Sequence, residues 1–107
     1  MKLVDLEPQF LKWVSDVEFR TDATFDDADG IMFLCPKCFG ENGGPVGTHS
    51  VICWKPHVPQ TTHPIPGRWN MRGTGAGDLT LFAGSSSILL KGGCGWHGYV
   101  TDGEVTG

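Results

Sequence analysis

The chain has 107 residues, and 16 Gly and 7 Pro point to many turns and little long helix. Four Trp, six Phe and 39% hydrophobic residues exclude a disordered chain, because that much aromatic surface needs a core. A net charge of −4 with scattered Lys and Arg gives no basic footprint for nucleic acid, and no segment approaches the roughly 20 apolar residues of a membrane span.

In chain order, residues 1–20 carry apolar positions from Leu3 to Val17. Their spacing fits a strand and a short helical turn after Pro8, or two short strands. Residues 21–30 form an acidic loop ending in a turn glycine. Phe25 stands where a calcium loop would need its first ligand, which argues against an EF-hand. Ile31-Met32-Phe33-Leu34 reads as a buried strand leading into Cys35, and residues 40–47 as a glycine-rich loop. Residues 48–55 are strand-like. The prolines at 56, 59, 64 and 66 demand an extended surface loop. Short strands are expected over 68–72, 78–82 and 87–91, with a flexible glycine loop at 73–77. Asp102-Gly103 between Gly98-Tyr99-Val100-Thr101 and Glu104-Val105-Thr106 is a hairpin signal. The sum is a mainly β, single domain over residues 1–107, a small sandwich or barrel-like fold.

Cys35-Pro36-Lys37-Cys38 is a C-x-x-C pair and Cys94-Gly95-Trp96-His97 a C-x-x-H pair. Two such pairs make up a four-ligand zinc site, since two intervening residues let both side chains of a turn converge on one ion. The expected ligands are therefore Cys35, Cys38, Cys94 and His97, around one structural zinc ion. Four protein ligands leave no open position for water, so the site is expected to be a staple and not a catalyst. Because residues 39–93 lie between the pairs, the ion would close a long loop, where a cross-link contributes most in the chain-entropy picture.

Cys53 reads as a small buried residue of a strand, with replacement of His97 as its alternative role. His49, His57 and His63 fall at irregular spacing among prolines and read as bystanders. Ser85-Ser86-Ser87 lacks the elbow of a serine nucleophile, and the glycines of 73–77 lack the strand–helix unit of a phosphate loop. No enzymatic activity is expected.

The segment Gly92-Gly93-Cys94-Gly95-Trp96-His97-Gly98-Tyr99-Val100-Thr101-Asp102-Gly103-Glu104-Val105 resembles the closing segment of a family of small phage-encoded zinc-knuckle proteins. The opening Met1-Lys2-Leu3-Val4-Asp5-Leu6, the pair Cys35 and Cys38, Trp69 and Leu79-Thr80-Leu81 are similar to that family too. Some of its members are labelled ammonia monooxygenase, a chemistry these residues do not support. The same segment resembles the second loop of a Rieske iron–sulfur site, which runs C-x-x-H-G before a D-G turn. A Rieske cluster needs two Cys and two His, whereas Cys38 stands here where the first loop would carry its His.

The resemblance to the phage proteins implies a cytoplasmic accessory protein of an infected host cell, acting on a protein partner. Trp54, Trp69 and Trp96 are the expected exposed aromatics for that contact. A Rieske-like electron carrier is the alternative, and a nucleic-acid-binding zinc module a weaker one that the acidic balance opposes.

Overall fold

The computed structural model describes residues 1–84, 86–90 and 93–107. Ser85, Lys91 and Gly92, which fall in the serine run, the strand expected over 87–91 and the second knuckle, lie outside these. The molecule is mainly β, with three antiparallel sheets among the described residues.

The apolar run at Ile31 becomes strand β3 (Gly30–Leu34), and β4 (Ser50–Trp54) pairs with it over its whole length. Alternation divides the side chains of both strands between two faces. Ile31, Phe33, Val51 and Cys53 enter the main core, while Met32, Ile52 and Trp54 join a smaller cluster behind the sheet. Gly30 permits the pairing, since a Cβ there would meet the Cys53 carbonyl oxygen at 2.7 Å.

Strands β1 (Gln9–Ser15) and β2 (Glu18–Arg20) complete this sheet in the order β2-β1-β3-β4. Residues 1–20 thus follow the two-strand reading. The helical turn of this region is a 3-10 turn at Leu3–Leu6, before Pro8 and not after it, with Leu3 and Leu6 in the core. A second correction falls at residues 40–42: helix α1 (Pro36–Asn42) runs into the segment expected as a glycine-rich loop over 40–47. Pro36 occupies the first helical turn, where a missing N–H costs nothing, and Gly43 ends the helix in the left-handed region.

The rest of the chain folds over the main core. Strands β5 (Asn70–Arg72) and β6 (Thr80–Phe82) pair as a ribbon. Strands β7 (Ile88–Leu89), β8 (His97–Thr101) and β9 (Glu104–Thr106) form the third sheet. Asp102 and Gly103 both take positive φ, as the Asp-Gly hairpin requires. Leu79, Leu81, Ile88, Val100 and Val105 meet Phe33 and Val51 in one cluster. No described helix is long and apolar enough to cross a membrane.

The proline-rich segment covers the small cluster of Leu11, Trp54 and Val58. The Arg68 guanidinium fixes its path by donating to the carbonyls of Val58, Pro59, Thr62, Pro64 and Gly67.

Asp29 closes the acidic loop at the same end. It accepts from the Trp13 amide at 2.8 Å, lies 2.7 Å from His57 Nε2, and sits 3.5 Å from Lys12 Nζ. Burial opposes its ionisation, but the Trp13 amide, His57 and Lys12 together outweigh burial and hold its pKa below the ordinary 3.8. Its contribution to stability is therefore complete above the ordinary aspartate range. That contribution is lost as pH falls below about 4, through the lowered value. Asp29→Asn should lower the melting temperature at pH 7 and flatten its fall over this acid window. An unchanged acid limb in a pH series of thermal melts would show that Asp29 does not govern it.

Candidate metal centre

The β3–β4 ladder positions half of the site. Its register pairs Leu34 with Ser50, and the next step continues it, the Cys35 amide donating to the His49 carbonyl at 2.9 Å. Cys35 and His49 therefore stand opposite each other just beyond the strand ends. Cys35 then turns into α1, whose first turn carries Cys38 back towards it. The third element is the turn before β8, where Gly93 and Gly95 both have positive φ on either side of Cys94. Lys37 Nζ donates to the Cys94 carbonyl at 2.8 Å and ties this turn to the first knuckle.

Cys35, Cys38, His49 and Cys94 each bring one donor atom to a common point, all four within 4.8 Å of one another. Cys35 Sγ lies 3.5 Å from Cys94 Sγ, and His49 Nε2 lies 3.4 Å from the same sulfur. Zinc with Zn–S of roughly 2.3 Å and Zn–N of roughly 2.0 Å, at tetrahedral angles, separates two sulfurs by about 3.8 Å and a sulfur from a nitrogen by about 3.5 Å. The two spacings come within a few tenths of an ångström of those edges. All four cysteines of the chain are free thiols. A group of three Cys and one His with no disulfide can hold one metal ion.

The electrostatics of the thiols are unequal. The His49 ring beside Cys94 is the largest influence on it. Helped by the Trp96 amide and the two other thiols, it outweighs burial and brings Cys94 down to about 6. Burial, together with the neighbouring sulfurs, pushes Cys38 up to about 12. Burial likewise raises Cys35, although the amides of Cys38 and Lys37 work in the opposite direction. Of the three thiols, Cys94 alone is lowered, and its sulfur lies 3.4 Å from the His49 ring nitrogen.

Three of the four expected ligands come together, and the fourth does not. The fourth member of the group is His49, in place of His97. The reason is the strand period. Trp96 is buried in the core, edge-on to Phe33, and β8 begins at the next residue. Gly98 and Val100 face inward, so His97 points outward, where its ring lies 6.4 Å from that of Tyr99. A C-x-x-H pair converges only while the chain is still turning at its His, and here it is already extended. His49 went unrecognised because its signal is not a short motif. It follows from pairing residues 30–34 with residues 50–54 in antiparallel register, which brings residue 49 opposite residue 35.

Cys53 faces the main core, 1% exposed, and burial alone raises its thiol pKa. His57 pairs with Asp29 and is no part of the metal group. The carbonyl of His63 accepts from Trp54 Nε1 at 3.0 Å. The three tryptophans expected at the surface are buried instead: Trp54 at 2%, Trp69 at 9% and Trp96 at 4% exposure. Trp69 and Trp96 belong to the main core and Trp54 to the smaller cluster.

Comparison with family models, curated proteins and solved structures finds no match for this chain.

Proposed function

We propose that this domain binds one structural zinc ion through Cys35, Cys38, His49 and Cys94, and that it serves as a phage-type accessory protein that binds another protein in the host cytoplasm. The observation that carries the zinc reading is the convergence of four donors, one from each residue, within 4.8 Å. Three thiolates and one imidazole form a soft, closed donor set that suits zinc over the oxygen-seeking cations. The likeness of residues 92–105 and of the opening hexapeptide to small phage-encoded zinc-knuckle proteins supports the accessory role.

The Rieske alternative fares worse on the donor set. Such a cluster needs two imidazoles on one iron, and His49 is the one imidazole of the group.

Metal analysis of protein purified without added metal tests the zinc reading. One zinc per chain and no visible absorption band are expected. Two irons per chain with a visible band would establish the iron–sulfur alternative. No stoichiometric metal at all would overturn both.

A further inference from the structure

A cavity of about 670 Å³ lies between the four-stranded and the three-stranded sheets, and none of the four metal-group residues lines it. This falls within the roughly 300–1,000 Å³ of ligand pockets. Its two long walls are strands β4 and β7, each the last strand of its sheet. Trp69 and the segment 63–67 complete the lining.

The orientation of the main chain at these walls follows from the ladders. In an antiparallel pair, alternate residues turn their N–H and C=O towards the partner strand and away from it. Cys35 bonds to His49 and Lys55 to Asp29, so the odd residues of β4 face β3. Ser50, Ile52 and Trp54 therefore turn their main-chain groups outward. The Trp54 carbonyl accepts from the Trp69 amide at 2.9 Å, a single rung of a ladder on this outer edge that goes no further. Across the cavity, Leu90 donates to Trp96, so Leu89 is the residue of β7 turned away from β8. No described residue bonds to the main chain of Ser50, Ile52 or Leu89.

We propose that this groove receives an extended peptide segment of a partner protein, which adds as a strand between β4 and β7. The proposal rests on the accessory-protein reading and names the kind of partner it takes. The outward main-chain groups of Ser50 and Ile52 on one side and of Leu89 on the other match an extended chain, whereas a helix satisfies its own backbone and would leave them empty. The rung from Trp69 to Trp54 marks where the guest ladder would continue. The described lining carries no Asp, Glu, Lys or Arg. An uncharged segment with alternating apolar side chains is the complement of such a groove. Leu89 and Ile65, 57% and 43% exposed, flank the opening and are the apolar surface such a guest would cover.

The test is selection of random twelve-residue peptides, displayed on ribosomes, against the zinc-loaded protein. Enrichment of alternating apolar and polar sequences is expected, with the amide NMR signals of Ser50, Ile52 and Leu89 shifted and their hydrogen exchange slowed. N-methylating alternate amides of a selected peptide should weaken binding about tenfold or more, because each lost bond strands a buried group. Leu89→Pro should weaken it likewise at unchanged zinc content, since the ring is accommodated where an edge N–H faces outward. Selected peptides that bind equally well after N-methylation and to Leu89→Pro, or that shift amides elsewhere, would overturn the groove while leaving a protein-binding role intact. Enrichment of helical peptides, or of none, would also overturn it. Neither result bears on the metal content measured separately.

Discussion

Removing the metal, by a strong chelator or by Cys94→Ser, is expected to lower the melting temperature by more than about 15 °C. The ion would join three segments directly: the turn from β3 into α1, the residue before β4, and the turn before β8. Burial raises the Cys35 and Cys38 thiols in the cluster, so both lose a favourable partner when no ion is there to bind them. A ligand present at about 1,000 times its dissociation constant stabilises the folded state by about 4 kcal/mol. For a domain of this size each kcal/mol shifts the midpoint by roughly 4–8 °C, which sets the expected drop. The loss should appear in the third sheet first, because Cys94 and the Lys37 contact to its carbonyl anchor the turn that precedes β8. Thermal melts of wild type and Cys94→Ser, each with and without chelator, provide the measurement. Wild type should fall to the level of the variant, and the variant should not respond. Identical melts for all four samples would show that the fold stands without the ion.

How far the sequence discloses this arrangement depends on the range of the interaction in question. The strands at 31–34, 51–54 and 80–82 and the Asp102-Gly103 hairpin are local features, and apolar runs between turn residues reveal them. Cys35 and Cys38 are legible for the same reason, since two intervening residues bring them together regardless of the rest of the chain. Cys94 is legible as the partner of that pair. Helix α1 was hidden because Gly40 and Gly43 suggest a loop, while the Pro36 start and the Gly43 stop signals carry the opposite meaning. Trp54, Trp69 and Trp96 misled as surface residues because nothing local tells a buried aromatic from an exposed one. Their burial depends on how the sheets meet. Asp29 shows the converse. It ends a run of acidic residues that reads as solvated, yet it is 8% exposed and holds the Trp13 amide and His57.

Substitution of the two histidines separates the motif from the register. His49→Ala is expected to weaken zinc binding by more than a hundredfold, and His97→Ala to leave it unchanged. Losing a group that hydrogen-bonds to a metal ligand costs roughly 10–100-fold in metal affinity, so losing a direct ligand should exceed that range. His49→Ala also removes the imidazole beside Cys94, the largest influence lowering that thiol, so one change weakens two donors. His97 lies on the outward side of β8 against Tyr99, and its removal disturbs neither the core nor the turn at Cys94. Competition against a chromophoric chelator gives both affinities on the same scale. The reverse ranking would mean that β8 starts later than residue 97 and that the C-x-x-H turn closes on the ion after all. Equal losses for both would instead bring two imidazoles to the site, the donor set that a Rieske cluster requires. The fourth ligand thus decides between a staple and an electron carrier. The continuation of the β3–β4 ladder by one residue pair, from Leu34 and Ser50 to Cys35 and His49, brings a single imidazole to the group and favours the proposed staple.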